Sequence, residues 1–214
     1  MDDDLELLLA WRGGDDEAGN TLVRRHFRVV HRFFRSKVHE AVDDLIQRTF
    51  LGCIEAVDRF EGRSSFRNFL LGIARNQLLL FFRERAQVGR IFDPREHSVS
   101  KFGAGQSPSE HAALREEQRL LLAALRQLPL DLQITVELFY WEQMPVSEIG
   151  EVLDVPTGTV KSRLARARST LRDRIAELAA DDHIRTCTLK DLEGWARSLR
   201  DALAEGDAPP SPPA

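Results

Sequence analysis

The chain has 214 residues, of which 43% are hydrophobic and 30% charged, and its formal net charge is −4 at pH 7. This is an ordinary composition for a folded protein of one large or two small domains. The start, Met1-Asp2-Asp3-Asp4-Leu5-Glu6, is acidic where a secretory signal is basic, and no run is apolar for long enough to cross a bilayer, so the expectation is a cytoplasmic protein without membrane insertion.

In chain order, apolar residues recur at helical spacing in Leu5–Trp11, Leu22–Val38, Val42–Phe60 and Phe66–Phe82, and no alternating run competes as a strand. Phe27, Phe33, Phe34, Phe50, Phe66, Phe81 and Phe82 read mostly as core, because aromatics at helical spacing usually are. Cys53 lies in an apolar helical run and reads as a small core residue. Cys53 and Cys187 fit no CxxC or Cys/His spacing, which supports neither zinc nor a disulfide framework.

Residues 87–110 then change character, with Gly89, Pro94, Gly103, Gly105 and Pro108 among Ser98, Ser100, Ser107 and Ser109, a linker by composition. Helical periodicity returns at His111–Leu128, stops at Pro129 and resumes in Leu132–Trp141, Ser147–Leu153 and Thr157–Leu178. Leu189–Leu203 is a last amphipathic segment, and the end, "GDAPPSPPA", is expected to be disordered. The fold expected is all-α: two small helical domains joined by a flexible linker, the second with a helix-turn-helix, plus a C-terminal helical extension.

The helix-turn-helix is built from Ser147–Leu153 and Thr157–Leu178 around Asp154-Val155-Pro156. Thr157 reads as an N-cap, and Gly158 lets a phosphate approach the exposed backbone N–H groups. At about 100° per residue, Val160, Leu164, Ala167, Leu171 and Ile175 form one apolar stripe. Ser162, Ala165, Arg166 and Ser169 point the opposite way, flanked by Lys161, Arg168 and Arg172. A face that mixes small residues with Arg suits a major groove, where Arg donates two hydrogen bonds to a guanine edge and flanking cations meet phosphates. Between Pro156 and Ile175 the only acid, Asp173, stands against six cations, which argues against a merely solvated, charge-balanced face.

The N-terminal half carries Asp44-Leu45-Ile46-Gln47, an apolar helix ending Asp58-Arg59-Phe60, then Phe66-Arg67-Asn68-Phe69-Leu70 and Ile73-Ala74-Arg75-Asn76. These segments resemble region 2 of bacterial sigma factors, and "VPTGTVKSRLARAR" (Val155 to Arg168) resembles region 4. In this order on two sides of a linker, over roughly residues 5–178, they resemble the extracytoplasmic-function (ECF) group of the sigma-70 family. The resemblance implies a sigma factor, not an enzyme, that binds core RNA polymerase and directs promoter-specific initiation. Residues 1–86 would be region 2, 87–110 the linker, 111–180 region 4 and 181–214 an extension. Asp44, Gln47, Arg48, Leu51 and Ile54 would meet the polymerase clamp helices, and their spacing by three or four places them on one face. Phe60, Glu61, Gly62, Arg63, Ser64 and Ser65 would hold the flipped base of the −10 element. Asn76 would read that element, with Arg75, Arg83 and Arg85 on its phosphates. Lys161, Ser162, Ala165 and Arg166 would read the −35 element, with Thr157, Gly158 and Arg168 beside them. An anti-sigma factor is a further partner implied by the family alone.

The chain departs from the family pattern at Arg48, where Glu is usual, at Phe69 for Trp, at Leu80 for Asp, at Pro145 for Ser and at Gly150 for Ala. The extension either packs as a helix on the protein's own surface or docks between the domains or on a partner. A ligand-sensing helix-turn-helix regulator leaves the region 2 motifs without a role, and a degenerate sigma that sequesters polymerase, or an anti-sigma factor, has Arg48 as its best argument. No nucleophile–base pair, metal cluster or phosphate-binding Gly loop favours an enzyme or a cofactor.

Overall fold

The computed structural model of the protein describes residues 3–38, 40–56, 58, 60, 64–86, 92–102, 114–179 and 192–204. Four helices form the first bundle: α1 (Asp3–Arg12), α2 (Asp16–Arg35), α3 (Val42–Ala56) and α4 (Phe66–Arg85). Asp15 separates the first two, its carboxylate accepting the backbone N–H groups of Glu17 and Ala18 at 3.0 and 3.1 Å, donors that a first turn leaves unpaired. A side chain at Gly19 would come within 2.5 Å of the Trp11 ring, so glycine lets α1 lie against α2. The Ser65 hydroxyl caps α4 by accepting the Asn68 N–H at 3.3 Å.

Inside this bundle Leu22, Val30, Phe34, Leu45, Cys53, Phe66, Leu70 and Leu78 are fully buried. Phe27, Phe33, Phe50 and Phe82 join them, while Phe81 is half-buried with the Arg85 guanidinium 4.7 Å from its ring centre. Cys53 is core, as its setting suggested: burial disfavours the thiolate and pushes its pKa up to about 12.

The second half holds α5 (Glu116–Arg126), α6 (Leu130–Tyr140), α7 (Val146–Leu153) and α8 (Thr157–Leu178), and α9 (Leu192–Ala204) follows. Pro129, Pro145 and Pro156 each precede a helix, with φ between −48° and −58° and an extended ψ. The N-cap expected at Thr157 is therefore one residue out. Pro156 occupies that position, its carbonyl accepting Thr159 and Val160 N–H groups at 2.9 and 3.2 Å, and Thr157 is the first helical residue with no side-chain cap. Gly150 also has a packing reason. A Cβ there would stand 2.8 Å from the Val155 carbonyl, in the turn that Asp154 makes with a left-handed φ of 53°.

The middle of the segment expected as a linker is folded. Phe92 is buried and stacks on Phe82 at 5.1 Å, and Val99 is fully buried at the start of a 3-10 turn, Val99–Phe102. The Pro94 and His97 carbonyls accept the Asp131 and Leu130 N–H groups at 2.9 and 3.0 Å, filling the orphan donors at the start of α6. Composition marked this stretch as loose; those backbone bonds and two apolar anchors hold it. Among the described residues no sheet forms, and no helix is long and apolar enough to cross a membrane. Thr188 and Asp191, spaced as a capping box ahead of the C-terminal segment, lie outside the described residues.

Candidate nucleic-acid interface

Helix α8 presents the two faces its periodicity requires. Val160, Leu164, Ala167, Leu171 and Ile175 are buried, and Thr157, Gly158, Lys161, Ser162, Ala165 and Arg166 are exposed on the other side. The Ser162 hydroxyl donates to the Thr159 carbonyl at 2.9 Å, which keeps it close to the helix and leaves room around Arg166. Arg168, expected beside the DNA-facing set, turns inward. Its Nε donates to the Tyr140 hydroxyl at 2.7 Å, and its guanidinium lies 5.6 and 5.7 Å from the Phe139 and Tyr140 ring centres. Arg163 donates to Asp131 at 2.6 Å, and Arg174 pairs with Glu177. The outward cations of α8 are thus Lys161, Arg166 and Arg172.

On α4, Asn76, Arg83 and Arg85 are exposed. Arg75 is largely covered, with Nη2 3.9 Å from Asp131, and burial pushes its pKa down against the pull of that carboxylate. Phe60 is half-buried and packs on Phe69 at 4.8 Å, so its ring is engaged in the bundle. Ser64 is half-buried and Ser65 exposed, whereas Glu61, Gly62 and Arg63 lie outside the described residues. On α3, Asp44, Gln47, Arg48 and Leu51 are exposed and Ile54 is half-buried, which makes one open face. Arg48 is paired with Asp44 at 2.9 Å along the helix.

Motif reading did not anticipate the polar contact between the two halves, where α4 packs on α7. At the end of α2, Lys37 is completely buried and donates to the Phe33 carbonyl at 2.6 Å and to Glu137 of α6. Burial pushes the Lys37 pKa down, and Glu137 opposes that shift. Arg126 donates to the Ser36 carbonyl at 3.0 Å, so cations from both halves meet the negative end of α2. Glu142 accepts from Arg32 at 2.9 Å and also from Arg67. Asn68 donates to Glu148 at 3.0 Å, and Asp131 lies between Arg75 and Arg163. Several buried atoms here find no hydrogen-bond partner within the protein: Asn68 Oδ1, Arg75 Nε, Asp131 Oδ1, Gln133 Oε1 and Arg163 Nη1. Each such atom costs about 1–3 kcal/mol when no water reaches it. The sequence signal for these partners is weak, because they stand as much as 110 residues apart.

Helix α9 covers part of this junction, packing on α2, α5 and α6 with Ala196, Leu199 and Leu203 buried. A cavity of about 320 Å³ remains beside it, lined by Phe139, Tyr140, Gln143, Met144, Pro145 and Arg197.

Comparison with known proteins agrees with this division. Residues 22–88 match the family described as Sigma-70 region 2, and residues 118–171 match Sigma-70, region 4. The ECF RNA polymerase sigma-E factor of Escherichia coli (strain K12) is 29% identical over 172 residues, which cover 77% of this chain and 90% of that protein. The protein of the same name from Haemophilus influenzae is 26% identical over 172 residues, covering 77% and 91%. Among solved structures, CnrH in complex with the cytosolic domain of CnrY aligns with a TM-score of 0.57 at 24% identity, over 83% of this chain and 100% of that one. The sigma factor RpoE in complex with the anti-sigma factor NepR from Bartonella quintana aligns with a TM-score of 0.55 at 22% identity, over 77% and 99%. At those identities the two structures support the fold.

Proposed function

With region 2 followed by region 4, the chain belongs to the ECF group of the sigma-70 family, and we propose from that premise how its own residues divide the work of an RNA polymerase sigma factor. It directs promoter-specific transcription initiation in complex with core polymerase. Residues 1–86 act as region 2 and 111–180 as region 4, with 87–110 between them.

In this reading Lys161, Ser162, Ala165 and Arg166 enter the −35 major groove, Arg166 donating to a base edge while Lys161 meets phosphate. Thr157 and Gly158, at the start of a helix whose N–H groups point outward, suit a backbone phosphate. Asn76 contacts the −10 element together with residues 60–65. Capture of an unpaired base there turns transient strand opening into a stable bubble, because binding one state of an equilibrium shifts it. The open α3 face of Asp44, Gln47, Arg48, Leu51 and Ile54 takes the polymerase clamp helices. The chain makes and breaks no bond itself, works in the cytoplasm beside polymerase, and is a target for an anti-sigma factor of the kind bound to RpoE in the structure above.

The observation that carries this reading is the exposed, small-and-basic face of α8 on the same chain as the exposed α3 face. In vitro transcription with bacterial core polymerase, on DNA from upstream of the chain's own gene, tests it. Protein-dependent initiation that Arg166→Ala weakens is the expected result. Binding of that DNA without polymerase, and no initiation with it, would instead favour a self-sufficient helix-turn-helix regulator.

A further inference from the structure

We propose that α9 is a latch that holds regions 2 and 4 in a closed, self-blocked arrangement, and that the chain sheds it to engage a promoter. The inference rests on the sigma reading above and adds its regulation.

The latch spans both halves. Helix α9 packs on α2 of region 2 and on α5 and α6 of region 4, burying Ala196, Leu199 and Leu203. Polar contacts fix its register. Gln118 donates to the Ser198 hydroxyl at 2.8 Å and to its carbonyl at 3.2 Å, and Arg200 donates to the Trp141 carbonyl at 3.4 Å. A helix bound only to region 4 would tie down the extension without joining the halves; contact with α2 makes it a clasp.

The arrangement it holds is incompatible with promoter binding. One carboxylate, Asp131, sits 3.9 Å from Arg75 of region 2 and 2.6 Å from Arg163 of region 4. It stands where a phosphate oxygen would otherwise meet Arg75. Elements centred at −35 and −10 lie about 25 base pairs apart, roughly 85 Å of B-form duplex. Two DNA-facing domains that share a carboxylate cannot occupy both. The 24 residues of 87–110 reach at most about 80 Å when extended, and residues 92–102 are folded in the closed state, so opening has to release that stretch too.

The junction itself favours release. Its buried polar atoms without a hydrogen-bond partner in the protein, Asn68 Oδ1, Arg75 Nε, Asp131 Oδ1, Gln133 Oε1 and Arg163 Nη1, gain hydrogen bonds when water or another molecule reaches them. An interface of that kind gains from an added apolar contact, which α9 supplies, and yields to a partner that binds only the open form.

The test uses hydrogen exchange on the full chain, on a chain ending at residue 191 and on full-length Leu199→Asp. Opening predicts that the Lys37 and Val38 amides and those of α6 exchange about tenfold faster or more in both variants, while α3 keeps its protection. The free variants should also bind the upstream DNA fragment about tenfold more tightly than the full chain at the same salt. Unchanged α6 protection in both variants overturns the latch, and so does loss of α3 protection in both, which would make α9 a part of the fold itself. Transcription with core polymerase separates the two readings. An interface that opens as described, with no initiation from any of the three proteins, counts against the sigma reading and not against the latch.

Discussion

Helices α4 and α8 carry the two sets proposed to face DNA, and the structure treats them differently. On α8 the outward face is open, from Thr157 and Gly158 through Lys161 and Ser162 to Ala165 and Arg166. On α4 only part of the set is open, since Asn76 is exposed but Arg75 lies under Asp131 of the other domain. Both helices are amphipathic, so both could be assigned a face from spacing. Which face is available depends on what the rest of the chain lays across it.

The largest effect should come from breaking the buried ion pair between the two domains. Glu137→Leu leaves Lys37 buried without its carboxylate and should cost about 3–5 kcal/mol, while adding Lys37→Met should recover most of that loss, since apolar replacement of a buried pair is often neutral or better. Urea denaturation of the two variants reads both numbers. Next comes the open helix. Arg166→Ala should lower promoter-specific initiation by about 5- to 150-fold, the 1–3 kcal/mol of a base-edge contact, with no change in melting temperature because its side chain is exposed. Arg75→Ala should move both readouts, since that residue also holds the closed form. Gly150→Ala sharpens the contrast from the other side. Forcing a methyl against the Val155 carbonyl should destabilise the turn that aims α8 by about 1–3 kcal/mol, measured as a lower thermal midpoint. The smallest change is expected at the polymerase face. Asp44→Asn removes an exposed i,i+4 pair with Arg48 and should cost only about 0.3–0.5 kcal/mol, leaving any effect on polymerase affinity to be measured separately by titration with core enzyme.

What could be read from the residues was local. The helix starting at Thr157 and ending at Leu178, its buried stripe, and the aromatic core of the first bundle all follow from 3.6-residue spacing. The cap at Thr157 was misplaced because proline supplies the extended geometry without a side-chain acceptor. Arg168 turns inward because spacing places it only at the flank, and Tyr140, 28 residues away, decides where it turns. Lys37 with Glu137, Arg126 with the end of α2, and the docking of residues 92–102 join positions too far apart in the chain for any periodicity to register. Glu61, Gly62 and Arg63, the centre of the expected −10 loop, lie outside the described residues and remain an assignment by resemblance.

The sorting of the α8 cations also bears on how the protein should respond to ions. The helix carries six cations, but Arg163, Arg168 and Arg174 are already engaged within the protein, which leaves Lys161, Arg166 and Arg172 facing outward. Each phosphate neutralised on a duplex releases counterions worth about 0.9 in the slope of log affinity against log salt concentration. With Arg166 on a base edge, Lys161 and Arg172 remain for phosphates and give a slope near −1.8 for this helix, against about −5.4 for all six. Region 4 would then contribute a shallow electrostatic grip, so that specificity on the −35 side depends more on fit at the base edges than on counterion release.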